Sequence, residues 1–242
     1  MIAVDLGILD YGTALSLQNT IHDLRAGSYI EDTVLFVEHS PVLTMGKSGG
    51  YDDLLLTEEE LNSQGISLYH LNRGGKITCH YPGQLVVYPI MDLERFGNNV
   101  PGFVTSLEEV IIQTIADFGV EGDRIPQHRG VFVGRDKIAA IGIEIRGGVT
   151  MHGISLNVFE DTSLYGHFVP CGIKDKGIAF LKRCCPRAIS PSMNAVVTSF
   201  LYHFSDIFDD SIRFVLDRVM FEKLFIHLVE QPELLTGNAG AL

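Results

Sequence analysis

One cysteine lies on a turn, where a thiol adds little to a hydrophobic core. Cys171 stands between Pro170 and Gly172, and Lys174 and Lys176 follow it. Proline and glycine fix the turn, the N–H groups after the cysteine suit an oxyanion, and the lysines favour the thiolate. We therefore predict that the Cys171 sulfur attacks a carbonyl in an acyl transfer. Taken alone, the motif favours a turn cysteine without chemistry.

The other three cysteines are weaker candidates for a nucleophile. Cys79 lies inside a strand-like run, and Cys184 and Cys185 are adjacent in a basic stretch. Buried cysteines usually behave as small hydrophobic residues. The spacing contains no C-x-x-C pair of a zinc site, and four cysteines are too few for a disulfide scaffold. We expect reduced thiols and no bound metal.

Lys137 is the second residue that is suited to chemistry. It follows a turn and opens the apolar run K-I-A-A-I-G. A lysine beside a thiol titrates together with it as a unit. In one protonation state the pair gives a proton to a leaving thiol, and in the other it accepts one from an attacking amine. Without Cys171 as its partner, Lys137 is better interpreted as an exposed turn lysine.

A glycine- and histidine-rich segment runs from Arg73 to Gln84 with the sequence R-G-G-K-I-T-C-H-Y-P-G-Q. Its glycines permit a close approach of the backbone to a ligand, although paired glycines more often mark a hairpin turn. His80 is suited to acid–base chemistry or to a structural hydrogen bond. His152 and Asn157 are five positions apart on one predicted strand and so on opposite faces, which weakens a Cys–His–Asn triad.

The remaining pattern predicts one α+β (α/β) domain over residues 1–242, with a mostly antiparallel or mixed sheet and packed helices. Helical spacing or capping predicts helices over 10–27, from Thr57 to near Gly65, and over 103–118, 192–208 and 212–229. Strands are predicted near residues 1–6, over 33–38, in three runs between 66 and 90, and in a meander over 131–158. We place C-terminal helices within 182–235 and a loose tail over 236–242.

Charge and composition restrict the partners. The net charge of −12 argues against a nucleic-acid partner, and no apolar run is long enough to span a membrane. The segment from Cys171 to Ser190 carries five basic residues against one aspartate, which suits either an acidic partner or a solvated face. With no signal-peptide pattern at the N-terminus, we expect a cytoplasmic protein.

Five segments together resemble the lipoyl(octanoyl) transferases, the octanoyl-acyl-carrier-protein:protein octanoyltransferases of lipoate biosynthesis. They occur in the family's order over residues 10–181: E-H-S-P with T-M-G, the segment from Arg73 to Gln84, K-I-A-A-I-G, M-H-G-I-S-L-N-V, and P-C-G.

The resemblance implies a biotin/lipoate protein ligase-like fold. The implied activity moves an octanoyl group from acyl carrier protein to a lysine ε-amine. The acceptors would be the lipoyl domains of 2-oxoacid dehydrogenases and the glycine cleavage H protein. Cys171 would form the acyl-thioester, and Lys137 would lower the pKa of that thiol and shuttle protons. No metal, ATP or other cofactor is required, because the donor is already activated.

The resemblance also implies which residues line the acyl pocket. They come from three segments: Arg73, Gly74, Gly75, Lys76, Ile77, Thr78, Cys79 and His80; Ala140, Ile141 and Gly142; and Gly153, Ile154 and Ser155. The chain departs from the family pattern at Tyr81, where the family usually has glycine, and after P-C-G, where residues 178–181 replace a Thr-Ser-Leu stretch. The first departure suggests a narrower pocket or an altered chain-length preference, and the second suggests altered contacts with the acceptor.

Three other activities remain open from the sequence. An ATP-dependent lipoate–protein ligase would share the fold but would not need Cys171. An octanoyl amidotransferase acting between lipoyl domains would use the same cysteine. A non-catalytic acyl-binding module would use the pocket without the chemistry.

Overall fold

The computed structural model describes residues 1–168, 177–221 and 223. The strands in this part of the chain are β1 (Ile2–Leu9), β2 (Thr33–His39), β3 (Val42–Met45), β4 (Ser67–His70), β5 (Ile77–His80), β6 (Gln84–Ile90), β7 (Asp123–Ile125), β8 (His128–Val133), β9 (Asp136–Arg146), β10 (Val149–Asn157) and β11 (Phe214–Asp217). The α-helices are α1 (Tyr11–Ala26), α2 (Glu58–Ser63), α3 (Val100–Ala116), α4 (Leu181–Cys184) and α5 (Met193–Ile207), and short 3-10 helices cover Tyr51–Asp53, Leu93–Phe96 and Ser163–Gly166.

Two sheets form the framework. The large sheet has the order β11-β1-β2-β6-β10-β9-β8-β7, and the small sheet has the order β4-β3-β5. In the large sheet β1 runs parallel to β11 and β2, whereas the other pairs are antiparallel. The predicted α+β class with a mixed sheet is therefore confirmed.

Local capping signals set the starts of the first helices. The Asp10 carboxylate accepts a hydrogen bond from the Thr13 backbone N–H at 2.9 Å, which caps α1. At α2, Thr57 and Glu60 form the predicted reciprocal capping box, with the Glu60 carboxylate accepting from the Thr57 N–H at 2.8 Å. These two helices begin where the sequence predicts because their caps are local.

Helices cover both faces of the large sheet. On one face, α3 and α5 enclose the largest cluster, which contains Leu107, Ile111, Phe200 and Phe204. On the other face, α1 packs Ala14 and Ile21 against the sheet. The small sheet has its own cluster, with Leu43, Cys79 and Phe168. The described residues therefore form three separate hydrophobic clusters, two on the large sheet and one on the small sheet.

The C-terminal prediction needs a correction. The helix predicted over residues 212–229 is wrong at its start, because Phe214–Asp217 forms the strand β11, which pairs with Ile2–Asp5 of β1. Pairing with a strand more than 200 positions away outweighs the helical spacing in this stretch. Residues 218–221 are helical. Most of the remaining predicted helix, and the predicted loose tail over 236–242, lie outside the described residues.

A buried carboxylate joins three parts of the fold. The Asp32 side chain is fully buried just before β2. It accepts hydrogen bonds from Arg25 Nε of α1 at 2.5 Å, from Arg95 Nη1, and from the Asp92 backbone N–H at 3.0 Å. Removing one partner of a buried ion pair leaves the other charges without compensation.

We expect Asp32→Ala to lower the free energy of unfolding by about 3 kcal/mol. Asp23→Ala is the matched control, because Asp23 also pairs with an arginine but its side chain is 73% exposed. That control should cost at most about 1 kcal/mol. Urea denaturation of both variants measures the difference. Equal losses would show that Asp32 contributes no more than a surface ion pair.

Among residues 1–168 and 177–221, no helix has the length and apolar character that a membrane span requires.

Candidate active site

A cavity of about 250 Å³ lies between the small sheet and the large one. Its walls come from β5 and the segment before it, from β6, from the turn and first residues of β8, and from the adjacent strands β9 and β10, with one side chain from α1. The lining residues are Tyr11, Arg73, Gly75, Lys76, Ile77, Thr78, His80, Val86, Tyr88, Gln127, His128, Arg129, Lys137, Ala140, Ile141, Gly142, His152, Gly153, Ile154 and Ser155. The volume is near the lower end of small-ligand cavities, which are ~300–1,000 Å³.

The cavity brings together most of the predicted pocket residues. All three predicted segments contribute, and Lys137 lies on the same wall as Ala140. Of the predicted set, Gly74 and Cys79 do not line the cavity. The Gly74 backbone is hydrogen-bonded to β9 of the large sheet, and the Cys79 side chain packs in the hydrophobic cluster of the small sheet. A role in contacting substrate remains a prediction for the residues that line the cavity.

The Arg73 loop sits directly on β9. The Gly74 backbone N–H donates to the Ile143 carbonyl at 3.0 Å. A Cβ at Gly142 would lie 2.8 Å from the Gly74 oxygen, so a larger residue there would push the loop away. The Arg73 guanidinium is held in turn by the Thr44 carbonyl and Oγ1, both at 2.7 Å. The glycines were predicted to let the backbone approach a ligand closely. In the structure the close approach is between the Arg73 loop and strand β9.

Histidines and tyrosines form the polar part of the wall. Burial, with the charge of the neighbouring His39 second, lowers the pKa of His80 to about 3. Burial, assisted by the charge of Arg73, lowers the pKa of His152 to about 4. Burial raises the pKa of Tyr88 well above its usual value. At neutral pH these imidazoles and this hydroxyl are uncharged, and the basic side chains of the lining are Arg73, Lys76, Arg129 and Lys137.

Lys137 stands near the start of β9 and is half-buried. Its Nζ lies 5.3 Å from the centroid of the Phe132 ring, within the range of a cation–π contact. Its backbone N–H donates to the Gly177 carbonyl at 3.0 Å, and its carbonyl accepts from the Ala179 N–H at 2.9 Å. The chain just after the cysteine motif therefore pairs with the lysine strand.

Cys171, Lys174 and Lys176 lie outside the described residues. The described chain on each side of them is anchored. Phe168 is buried and bridges Leu54, and Ile178 bridges Lys137. Because Cys171 is outside the described residues, the pairing of its sulfur with the Lys137 amine remains a prediction.

Tyr81 takes a different place from the one suggested by the sequence. It is fully buried, but it does not line the cavity. Its hydroxyl donates to Asn157 Oδ1 at 3.1 Å, and its ring lies 6.2 Å from that of Tyr165. The expected narrowing of the pocket by this side chain is therefore not seen. His152 lines the cavity while Asn157 does not, which agrees with the predicted opposite faces.

Seven cavity residues were not predicted from the sequence: Tyr11, Val86, Tyr88, Gln127, His128, Arg129 and His152. Tyr11 follows a helix cap, Val86 and Tyr88 read as ordinary strand residues, Gln127 lies in the turn before β8, and His128 and Arg129 begin that strand. Only their tertiary positions bring them to the cavity. Of the seven, His152 alone had been singled out in the sequence, as a histidine on a predicted strand. Its φ of 58°, which is rare for a residue other than glycine inside a strand, is seen only in the structure.

Solved structures share this architecture. Lipoate-protein ligase A bound with ATP matches with a TM-score of 0.71 at 16% identity, covering 96% of this chain and 95% of that one. The fold is thus that of the lipoate and biotin protein ligases, as predicted. Fold and cavity together define an α/β domain of the lipoate and biotin ligase type.

Relatives of known name are more similar in sequence. An octanoyltransferase of Caldicellulosiruptor saccharolyticus is 37% identical, over 87% of this chain and 89% of that protein. An octanoyltransferase of Solibacter usitatus is 41% identical, over 84% and 91%. The family model for the lipoyl protein ligase A/B catalytic domain matches residues 10–205. The chain belongs to this family, and within it to the acyltransferases.

Proposed function

We propose that the protein transfers an octanoyl group from octanoyl-acyl carrier protein to the ε-amine of a lysine on a lipoyl domain, through an acyl-thioester on Cys171. The observation that carries the proposal is the cavity. It combines an apolar wall of Ile77, Val86, Ile141 and Ile154 with two lysines, Lys76 and Lys137. The Lys76 amine donates to the Asp53 carboxylate at 2.9 Å, and we assign the chemistry to Lys137. A fatty acyl chain matches the wall, and acyl transfer to an amine uses a base.

The first half-reaction moves the acyl group onto the protein. The Cys171 thiolate attacks the thioester carbonyl of the donor and forms a C–S bond. The tetrahedral intermediate then collapses, the C–S bond to the carrier protein breaks, and the leaving sulfur takes a proton from the Lys137 ammonium, which becomes a neutral amine. A positive charge beside Cys171 favours its thiolate. The pairing of Gly177 and Ala179 with the Lys137 backbone supports Lys137 as the source of that charge.

The second half-reaction passes the acyl group to the acceptor. The lysine amine of the lipoyl domain attacks the Cys171 thioester, a C–N bond forms, and the C–S bond breaks. The attacking nitrogen must lose a proton, which the neutral amine of Lys137 accepts. Neither half-reaction consumes an oxidant, a metal ion or a nucleotide.

The basic stretch that follows the cysteine motif supports a carrier-protein donor. Lys182, Arg183 and Arg187 are exposed in the described part of the predicted basic stretch. Lys182 donates to Ser190, and Arg183 pairs with Glu160 in a largely exposed ion pair. Such pairs are weak, so these cations remain available to an acidic partner.

Intact-protein mass spectrometry tests the proposal. Incubation with octanoyl-acyl carrier protein should add one octanoyl group, mapped to Cys171, and a lipoyl domain should then remove it. A parallel incubation with an octanoylated lipoyl domain as donor should give little adduct. A faster reaction with that second donor would make the protein an amidotransferase. If neither donor gave an adduct, the protein would be interpreted as a non-catalytic acyl-binding module. An adduct on Cys79 would contradict the mechanism.

The cavity wall should set the acyl chain length. We expect Ala140→Leu, which places three more carbons in the cavity, to lower kcat/KM for octanoyl relative to butanoyl donors by at least about 10-fold. The control is Ala195→Leu on the exposed side of α5, which should leave the ratio unchanged. Kinetics with the two donors give the ratio. An unchanged ratio for Ala140→Leu would show that the acyl chain binds elsewhere.

A further inference from the structure

A buried amide at the end of β10 contacts the chain on both sides of the cysteine motif. The Asn157 side chain is almost fully buried and does not line the cavity. Its Oδ1 accepts from the Tyr165 hydroxyl at 3.4 Å, and its Nδ2 donates to the Ala179 carbonyl at 3.2 Å. Tyr165 precedes Cys171 by six positions, and Ala179 follows it by eight. One side chain thus ties together two segments that flank residues 169–176.

The downstream contact continues to the lysine strand. The Ala179 N–H donates to the Lys137 carbonyl at 2.9 Å, and the Lys137 N–H donates to the Gly177 carbonyl at 3.0 Å. The segment held by Asn157 is therefore the segment that pairs with Lys137. A shift of Ala179 would alter the register of this pairing.

The upstream contact continues to the small sheet. Tyr165 lies in the 3-10 helix Ser163–Gly166, and its ring is 6.0 Å from that of Phe168. Phe168 in turn bridges Leu54. The last described residue before the cysteine motif is thus held through the same cluster that Asn157 contacts.

Two further donors fix the Asn157 amide itself. Gln84 Nε2 donates to Asn157 Oδ1 at 2.9 Å, and the Tyr81 hydroxyl donates at 3.1 Å. Gln84 Oε1 accepts from His80 Nδ1 at 2.7 Å, which makes the cavity wall part of the same network. Because donors surround Oδ1 and a carbonyl faces Nδ2, the amide has one satisfied orientation.

We propose that Asn157 is a positioning residue, which holds the two segments flanking residues 169–176 in the register that the reaction of Cys171 and Lys137 requires. This inference rests on the proposed function. Because Asn157 lies behind the cavity wall, its loss should slow the chemical step without weakening the binding of the acyl donor. Displacements of about 1 Å at a reacting group cost up to about 10²-fold in rate.

Asn157→Asp is the variant that removes the hydrogen bond to Ala179 and keeps the other contacts of this side chain. An aspartate keeps an acceptor for Tyr81, Gln84 and Tyr165, but it loses the donor to Ala179 and places oxygen against oxygen. Tyr81→Phe is a smaller change, because it removes one hydroxyl donor to Asn157 and keeps the buried ring. Asn194→Asp on the exposed start of α5 is the matched control.

Single-turnover acylation, followed by mass spectrometry over a range of octanoyl-acyl carrier protein concentrations, tests the inference. We expect Asn157→Asp to lower the saturating rate by about 10²-fold and Tyr81→Phe by about 5-fold, with the half-saturating concentration changed less than about 2-fold. Urea denaturation measures the folded fraction of each variant, and each rate is normalised to that fraction. The inference is overturned if the saturating rates of both variants equal that of Asn194→Asp, or if the half-saturating concentration rises instead.

The same assay separates this inference from the proposed function. If the unmodified protein gains no octanoyl group on Cys171, the proposed function fails. If it is acylated, and both network variants are acylated at the same rate, the positioning role alone fails. Should Asn157→Asp not fold, Tyr81→Phe decides the question, because it removes one of the donors that fix the Asn157 amide and keeps the buried ring.

Discussion

Cys171→Ser is expected to abolish the octanoyl adduct and to lower the overall transfer rate by at least about 10³-fold. A serine hydroxyl is scarcely ionised at neutral pH, whereas a thiol beside a cation is largely a thiolate. The oxygen ester that a serine would form is also a poorer acyl donor to an amine than a thioester. Intact-mass measurement and a transfer assay with a lipoyl domain detect the two effects separately.

Cys184→Ser is the control for this prediction. Cys184 lies in α4, half-buried, and burial raises the pKa of its thiol. A buried neutral thiol is a weak nucleophile, so this variant should keep the adduct and the rate. If Cys184→Ser removed the adduct while Cys171→Ser kept it, the nucleophile would have to be reassigned.

The sequence predicted the helices whose signals are local. The start of α1 near Asp10, the capping box at Thr57 and the helix that becomes α5 were predicted at or near their observed bounds. Residues 136–157 also read correctly as paired strands, because their turns are short. In each case the information lies within a few residues of the element.

The errors and omissions have a different cause. β11 was predicted as helix because its sheet partner is at the other end of the chain. The short strand β3 was not predicted, since it depends on pairing with β4 and β5. Tertiary pairing decides such segments, and no local pattern reports it.

The same distinction applies to the site. The three predicted pocket segments meet at one cavity, because glycines at 142 and 153 allow strands and loop to approach closely. Tyr11 and Tyr88 were missed because each reaches the cavity from an element with an ordinary pattern. The Tyr81–Asn157 contact spans 76 positions, so the sequence could not indicate that this tyrosine packs behind the pocket.

Substitutions of Lys137 are expected to separate the two half-reactions. Lys137→Ala should slow both, the second by about 10²–10⁴-fold, because charge and proton acceptor are lost together. Lys137→Arg keeps the charge, but a guanidinium does not release its proton at neutral pH. Acylation of Cys171 should therefore stay within about 10-fold of the unmodified rate, while transfer to the lipoyl domain falls by about 10²-fold or more.

The fold should tolerate both substitutions, because the pairing of residue 137 with Gly177 and Ala179 uses backbone atoms alone. Lys182→Ala, which removes an exposed lysine bonded to Ser190, is the control for lost charge. Acylation is followed by intact mass and the second step by adding a lipoyl domain to the isolated acyl-enzyme. If the arginine variant completed the second step at the normal rate, Lys137 would not be the proton acceptor. If the alanine variant were acylated normally, the amine at position 137 would take no part in activating the sulfur.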